Sequence, residues 1–280
     1  MKKVLVSIAN SEYIRYFLPM IQSAIDEGKW DGDFCLIVTE DTDSELTNQL
    51  ESNRVHIFRT PLLPETPPIH FYKMYLFNEY FKKWDWVLYS DLDVLFLNPI
   101  ELNLTEKSKE FLYTKQDGYS FMKHFYGETD SDLTKEQVEE KTNILQKYGD
   151  GDSFQTCFML FHTDMIDFGY FKKLYKSYLY YYCYYELARN SWWDQSIFNI
   201  VFFKKWLDIG DKFLNTSYVL NEIDWDLSKL ENGYMDTNDY TYKIVIHFFN
   251  FFPPWNSNNL RFYPIWENYN KTRLNENNII

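Results

Sequence analysis

Short apolar runs recur along the first hundred positions. Each is closed by a polar turn, and helical spacing follows it. Val4–Ala9 reads as a buried strand, closed by Asn10-Ser11-Glu12. Ile14, Phe17, Leu18, Ile21 and Ile25 then share one helix face, with Pro19 an irregularity inside it. Phe34–Thr39 is a second strand, an acidic start at Asp41–Ser44 opens a helix to about Leu50, and Val55–Arg59 is a third strand. A proline-rich loop, Pro61–Pro68, leads into a helix expected from about His70 to Phe81, which carries Lys73. Alternation of strand and helix from the first residue predicts an α/β fold whose sheet is mostly parallel, with right-handed crossovers.

The next segment, WDWVLYSDLDVLFLNP over Trp84–Pro99, breaks the pattern in one respect. Trp86–Tyr89 is a buried strand and Val94–Leu97 a second apolar run, yet Asp91 and Asp93 stand between them. Two acids between buried strands are costly unless something cationic lies on them. They either cap the strand and bond a turn, or hold a divalent cation at the carboxyl end of the sheet, where open α/β folds bind ligands. The full-length apolar flanks favour the cation.

Phe111–Thr114 is a further strand. Residues 116–152 turn polar and acidic, with one helix near Lys135–Tyr148, and read as an insertion: a lid, an acceptor-side element, or a solvated loop. Phe154–Phe161 is strand-like. A long aromatic helix is expected over Phe168–Leu187, striped by Phe171, Tyr175, Tyr178 and Tyr182. Its YLYYYCYY run suits core packing or pairing with a second copy as a homodimer, ahead of a sugar platform. Asn190–Phe203 opens polar and becomes a helix, and Lys243–Phe248 is a late strand that contains His247. One domain over residues 1–280 is expected, with a loose tail over 260–280.

Hydrophobic content of 45% supports a sizeable core. A net charge of −13 excludes a nucleic-acid partner, which needs basic surface. It also sets a condition: an acidic protein that binds a diphosphate needs a cation to neutralise it. Cys35, Cys157 and Cys183 have no framework spacing, which suits free thiols in a reducing compartment. The start MKKVLVSIANSEY is too soon polar for a signal peptide, and no run approaches the roughly 18 apolar residues of a membrane span. A cytoplasmic location is expected.

Taken together, separated stretches resemble the glycogenin-like retaining glycosyltransferases, family 8, which have the GT-A fold. Asn10 and Tyr13 are similar to the family's N-D-x-Y segment, whose tyrosine stacks on uracil. YSDLDVLFLNP resembles the segment whose acids, here Asp91 and Asp93, hold Mn²⁺ and the ribose. Asp194, Gln195 and Asn199 resemble a D-Q-x-x-x-N segment that lines the donor sugar. Val245–Phe248 with Pro254-Trp255 resembles the segment whose histidine, here His247, is the third metal ligand. Lys73 matches a lysine that reaches the donor, and Gln155-Thr156-Cys157 stands where the family has N-S-G. The departures are Asn250 for a glycine, Pro253 for a phosphate-binding lysine and Ser191 for an acid. The resemblance implies a mixed, mostly parallel sheet flanked by helices with an inserted polar segment. It also implies transfer of a hexose from a UDP-sugar, of the UDP-glucose or UDP-galactose type, to a glycan or protein acceptor with retention.

The chemistry stands beside the resemblance. Sugar transfer leaves negative charge on the departing phosphate, and a cation on Asp91, Asp93 and His247 stabilises it as a Lewis acid. Mixed carboxylate and imidazole ligation suits Mn²⁺ over Mg²⁺. Asp194 is either a helix N-cap or, if the pair points into the donor site as the resemblance implies, an acceptor for sugar hydroxyls with Gln195 near the anomeric carbon. Tyr13 is either a base platform or helix-start packing. The competing readings are an inactive nucleotide-sugar-binding protein and a haloacid-dehalogenase-like phosphatase, whose acid pair normally follows the first strand of its domain.

Overall fold

The computed structural model describes residues 1–100, 102–120, 133–148, 151–187, 193–210, 214–216, 245–247 and 266–267; of residues 106, 118–120, 193, 214–216 and 245–247 it describes the backbone. Four parallel strands form one half of a seven-stranded sheet: β1 (Lys3–Ile8), β2 (Asp33–Thr39), β3 (Val55–Thr60) and β4 (Trp86–Ser90). The other half is β6 (Leu112–Ser120), β7 (Asp152–His162) and β8 (Trp206–Asp208), giving the order β3-β2-β1-β4-β7-β6-β8. β7 runs antiparallel to both β4 and β6, so the sheet is mixed.

Both faces of the sheet are covered, which is why its strands read as unbroken apolar runs. Leu5, Leu36, Leu88 and Phe158 point to one core with Phe17 and Ile21 of α1 (Phe17–Asp26). Val6, Ile37, Val87 and Phe161 point to the other, under α4 (Tyr170–Tyr178) and α5 (Trp193–Val201). Between these helices come α2 (Ser44–Asn48), capped by the Asp43 carboxylate at 2.8 Å from Glu45 N, and α3 (Lys135–Tyr148). Pro19 is no irregularity: it lies in the first turn of α1, where a missing N–H costs nothing.

Two helices differ from expectation. Residues 70–81 form not an α-helix but two 3-10 segments, Ile69–Phe77 and Glu79–Lys83, parted by an extended Asn78. Three residues per turn stack the side chains in three rows, and Phe71–Phe77 are all buried, so no wet face remains to give a 3.6 period. The aromatic helix is likewise composite. A 3-10 segment (Thr163–Phe168) and Gly169 at φ 70° precede α4, and a π-helical turn, Leu179–Tyr184, follows it. The buried row is Tyr170, Leu174, Tyr178 and Tyr182, while Phe171 and Tyr175 are only partly buried.

A smaller sheet completes the described fold. β5 (Val94–Phe96) pairs antiparallel with β10 (Val245–His247), which pairs parallel with β9 (Leu214–Thr216). The register sets His247 opposite Val94, one residue from Asp93. Within the 116–152 segment, β6 runs on to Ser120 and α3 forms where a helix was expected. Of the tail, Trp266 is buried against Tyr16, with ring centroids 6.0 Å apart.

Candidate active site

β1 hydrogen-bonds to β2 on one side and β4 on the other, so the crossovers leave it in opposite directions. Carboxyl ends at such a switch point diverge and leave a crevice. Asn10 sits at the end of β1, where its Oδ1 accepts from the N–H of Glu12 at 3.1 Å and of Tyr13 at 3.0 Å. This Asx turn brings Tyr13 to the surface, 39% exposed, with its ring 6.0 Å from Tyr16. Beside it opens a cleft of about 590 Å³ lined by Asn10, Glu12, Thr39, Asp41, Pro68 and Tyr72.

Asp91 follows β4, and its N–H bonds the carbonyl of Cys157 on β7 at 2.9 Å. The Lys73 ammonium, 3% exposed, lies 3.2 Å from Asp91 Oδ1 and 3.2 Å from Asp194 Oδ2. Burial works to lower the Lys73 pKa, but the carboxylates of Asp194 and Asp91 outweigh it and hold the amine above its usual range. The Tyr89 hydroxyl also donates to Asp91 Oδ1. Burial first, and Asp91 second, push that phenol well above its ordinary value, so it remains a donor. Thr156 donates to Asp194 Oδ2 at 2.8 Å. Asp194 therefore spends its carboxylate on Lys73 and Thr156 from the first turn of α5, where the helix dipole also favours an acid.

A distortion of the sheet brings further polar side chains to the same strand end. Thr114 pairs with Met159 and Gln116 with Phe154, so two steps along β6 match five along β7. The surplus residues, Gln155-Thr156-Cys157, bulge out at the end of β4. The Thr114 hydroxyl lies within hydrogen-bond reach of the carbonyls of both Gln155 and Phe158, so its one hydrogen is shared between the two ends of the bulge. The side-chain amide of Asn199 brackets Phe154, accepting from its N–H and donating to its carbonyl, each at 2.9 Å. That contact moors α5 to β7, so Asn199 acts here as a clamp on the backbone. Across the bulge, Asp117 of β6 accepts from Gln155 Nε2 at 3.2 Å and from Gln195 Nε2 at 2.9 Å.

No family model matches the sequence, and no curated protein does. Solved structures do. A galactosyltransferase, LgtC, in complex with donor and acceptor sugar analogs is 16% identical, with 96% of this chain and 95% of that one covered at a TM-score of 0.64. The glycosyltransferase GlyE of Streptococcus pneumoniae TIGR4 is 16% identical, covering 96% of this chain and 60% of that one at 0.59. The bifunctional glycosyltransferase WbbM is 13% identical, with 96% and 49% covered at 0.64. The chain has the GT-A fold.

On that fold the expected residues divide into groups. Lys73, Asp91, Asp194, Gln195 and Gln155 come together directly or through Thr156 and Asp117. Asn10 and Tyr13 stand at the neighbouring strand end, with Asn10 lining the cleft. His247 is joined to the group through the backbone, by its pairing with Val94. Ser191, Asn250, Pro253, Pro254 and Trp255 lie outside the described residues. Among the described residues no three His, Cys, Asp or Glu side chains gather as a metal cluster. Sequence reading missed Asp117 and Tyr89 as site residues, and named Thr156 only within the Gln155-Thr156-Cys157 stretch, without a role. Asp117 lay in a stretch read as an inserted polar segment, and the bulge that aims it across the sheet arises from pairing with β7. Among the described residues, no helix is long and apolar enough to cross a membrane.

Proposed function

We propose that the protein is a metal-dependent glycosyltransferase. It moves a hexose from a nucleoside-diphosphate sugar, of the UDP-sugar type, to a glycan or protein acceptor with retention. The observation that carries this reading is the register of β5 and β10, which sets His247 beside Asp93 at the carboxyl end of β4. With Asp91 they would supply oxygen and imidazole donors near one strand end, a set that suits Mn²⁺, or Mg²⁺ less well. When bound there, the cation supplies Lewis-acid stabilisation of the departing diphosphate.

The remaining work falls to the protein's own side chains. The cleft beside Asn10 receives the nucleoside, with Tyr13 as a stacking surface at its mouth. Lys73 and the Tyr89 hydroxyl hold the Asp91 carboxylate in position to meet the ribose hydroxyls or the cation. Asp194 is oriented by Thr156 and Lys73 to accept from sugar hydroxyls, and Gln195 lies at the reacting carbon. No described side chain in this group is a free nucleophile poised by a base, so same-face displacement, with the leaving phosphate taking the acceptor proton, fits. Cys35 and Cys157, buried and not joined in a disulfide, suit work in the reducing cytoplasm. A phosphatase is disfavoured because the acid pair follows the fourth strand of a GT-A sheet.

The test is a thermal-shift panel of UDP- and GDP-sugars with and without Mn²⁺, since a ligand stabilises only the state that binds it. Turnover and product anomer by NMR follow for those that bind. A Mn²⁺-dependent shift with a UDP-hexose, abolished by Asp93→Asn, is expected. Failure of every nucleotide sugar to shift the protein would overturn the reading. Binding without turnover on any acceptor would leave a nucleotide-sugar-binding protein, and an inverted product would remove retention.

A further inference from the structure

Asp117 is 6% exposed and takes a hydrogen bond from each of two glutamine side chains, Gln155 on the β7 bulge and Gln195 on α5. An ionised carboxylate only accepts, so each amide must turn its NH₂ toward Asp117. Each carbonyl oxygen is thereby sent the other way. Gln155 carries a second mark of that orientation: its Oε1 accepts from the Cys157 thiol at 3.5 Å. The irregular register between Gln116 and Ser120 puts Asp117 on the bulged side of β6, where its side chain reaches across to α5.

We propose that Asp117 is a positioning residue that locks the Gln195 amide so that its carbonyl oxygen, and not its NH₂, faces the anomeric carbon of the donor. This rests on the glycosyltransferase reading above and deepens it. Positive charge grows on the anomeric carbon as the glycosidic bond breaks. A carbonyl dipole aimed at that carbon stabilises the charge, whereas the same amide turned over would present N–H groups and oppose it. Because glutamine is nearly symmetric in shape, packing alone cannot choose between the two orientations. An acceptor-only partner can, and Asp117 supplies one. Gln155, held by the same carboxylate, ties the choice to the bulge that shapes the sugar pocket.

Selective ¹⁵N labelling of glutamine gives seven side-chain amides, one for each glutamine of the sequence. The signals of Gln155 and Gln195 are assigned by their loss in Q155A and Q195A. In the unaltered protein the Gln195 NH₂ should exchange with water at least tenfold more slowly than the exposed Gln49. Asp117→Asn replaces one accepting atom by a donor and should shift both assigned amides. Kinetics are read with UDP-glucose and UDP-galactose, with Mn²⁺. D117N should lower kcat about 100-fold, a loss typical of one misdirected transition-state dipole, and leave the donor KM within a few-fold. Q195A/D117N should be no slower than Q195A, because Asp117 acts through Gln195. A Gln195 amide that exchanges freely in the unaltered protein overturns the proposal, even if D117N does not fold. So does multiplication of the two kinetic losses. If neither sugar nucleotide is turned over, the glycosyltransferase reading fails separately, and the amide spectrum still decides whether the lock exists.

Discussion

Replacing Lys73 with methionine keeps most of the side chain's length and removes its charge from between two acids. At an effective dielectric of about 20, a unit pair 3.2 Å apart is worth roughly 5 kcal/mol, and Lys73 makes two such pairs. Desolvating the ammonium takes back several kcal/mol. The effect is therefore set by what Lys73→Met leaves behind, two carboxylates in a largely dry site with no counter-charge. Breaking a buried pair in this way costs about 3–5 kcal/mol, which is the destabilisation expected at pH 7 in urea unfolding. The folded pKa of Lys73 is raised above its ordinary 10.5. Its contribution is thus present in full below 10.5 and fades only as pH climbs through the raised folded value. The gap between wild type and variant should be equal at pH 7 and pH 9.5. A loss under 1 kcal/mol at pH 7, or a gap that closes by pH 9.5, would show that the ammonium is not held between Asp91 and Asp194.

Other expectations follow from single contacts. Burial, with Lys73 adding to it and Asp194 opposing, brings the His70 pKa down to about 4 from 6.5. The unfolded chain then takes up a proton that the folded chain refuses, so His70 should remove about 3 kcal/mol of stability as pH falls from 6.5 to 4, a limb that His70→Gln should flatten in acid titrations of unfolding. A Cβ added at Gly32 would stand 2.5 Å from the Lys3 carbonyl oxygen in β1, so Gly32→Ala should force the start of β1 from the turn before β2 and lower Tm by several degrees. Phe77 stacks on Phe161 at 4.5 Å in the core beneath α5, and Phe77→Ala should cost about 3–5 kcal/mol by chemical denaturation.

Much of the parallel half of the fold is legible in the residues. Strands buried on both faces must be apolar throughout, so β1, β2 and β4 announce themselves, and the acids that follow β4 stand out against that background. The segment holding Lys73 is legible as an element but not as 3-10, because a stretch buried on every side has no polar positions to mark its period. β8 and β9 pass unnoticed because each is three residues long, and β8 carries half-buried and exposed side chains at a sheet edge. The partners of Asp194 are visible only by distance: Lys73 and Thr156 reach it from other elements. Asp117 could not be found from spacing, since what brings it to Gln195 is surplus residues in one strand measured against another.

The pairing of β5 with β10 closes a loop of about 150 residues, and such closure is entropically steep for so few strand bonds. The acid pair and the first parallel strands can settle early from nearby contacts. If the cation site proposed above exists, partially folded molecules would hold the two acids in place well before the imidazole arrives, giving a weak cation grip that sharpens in a late step. Mn²⁺ added during refolding should therefore accelerate the last kinetic phase and leave the first unchanged.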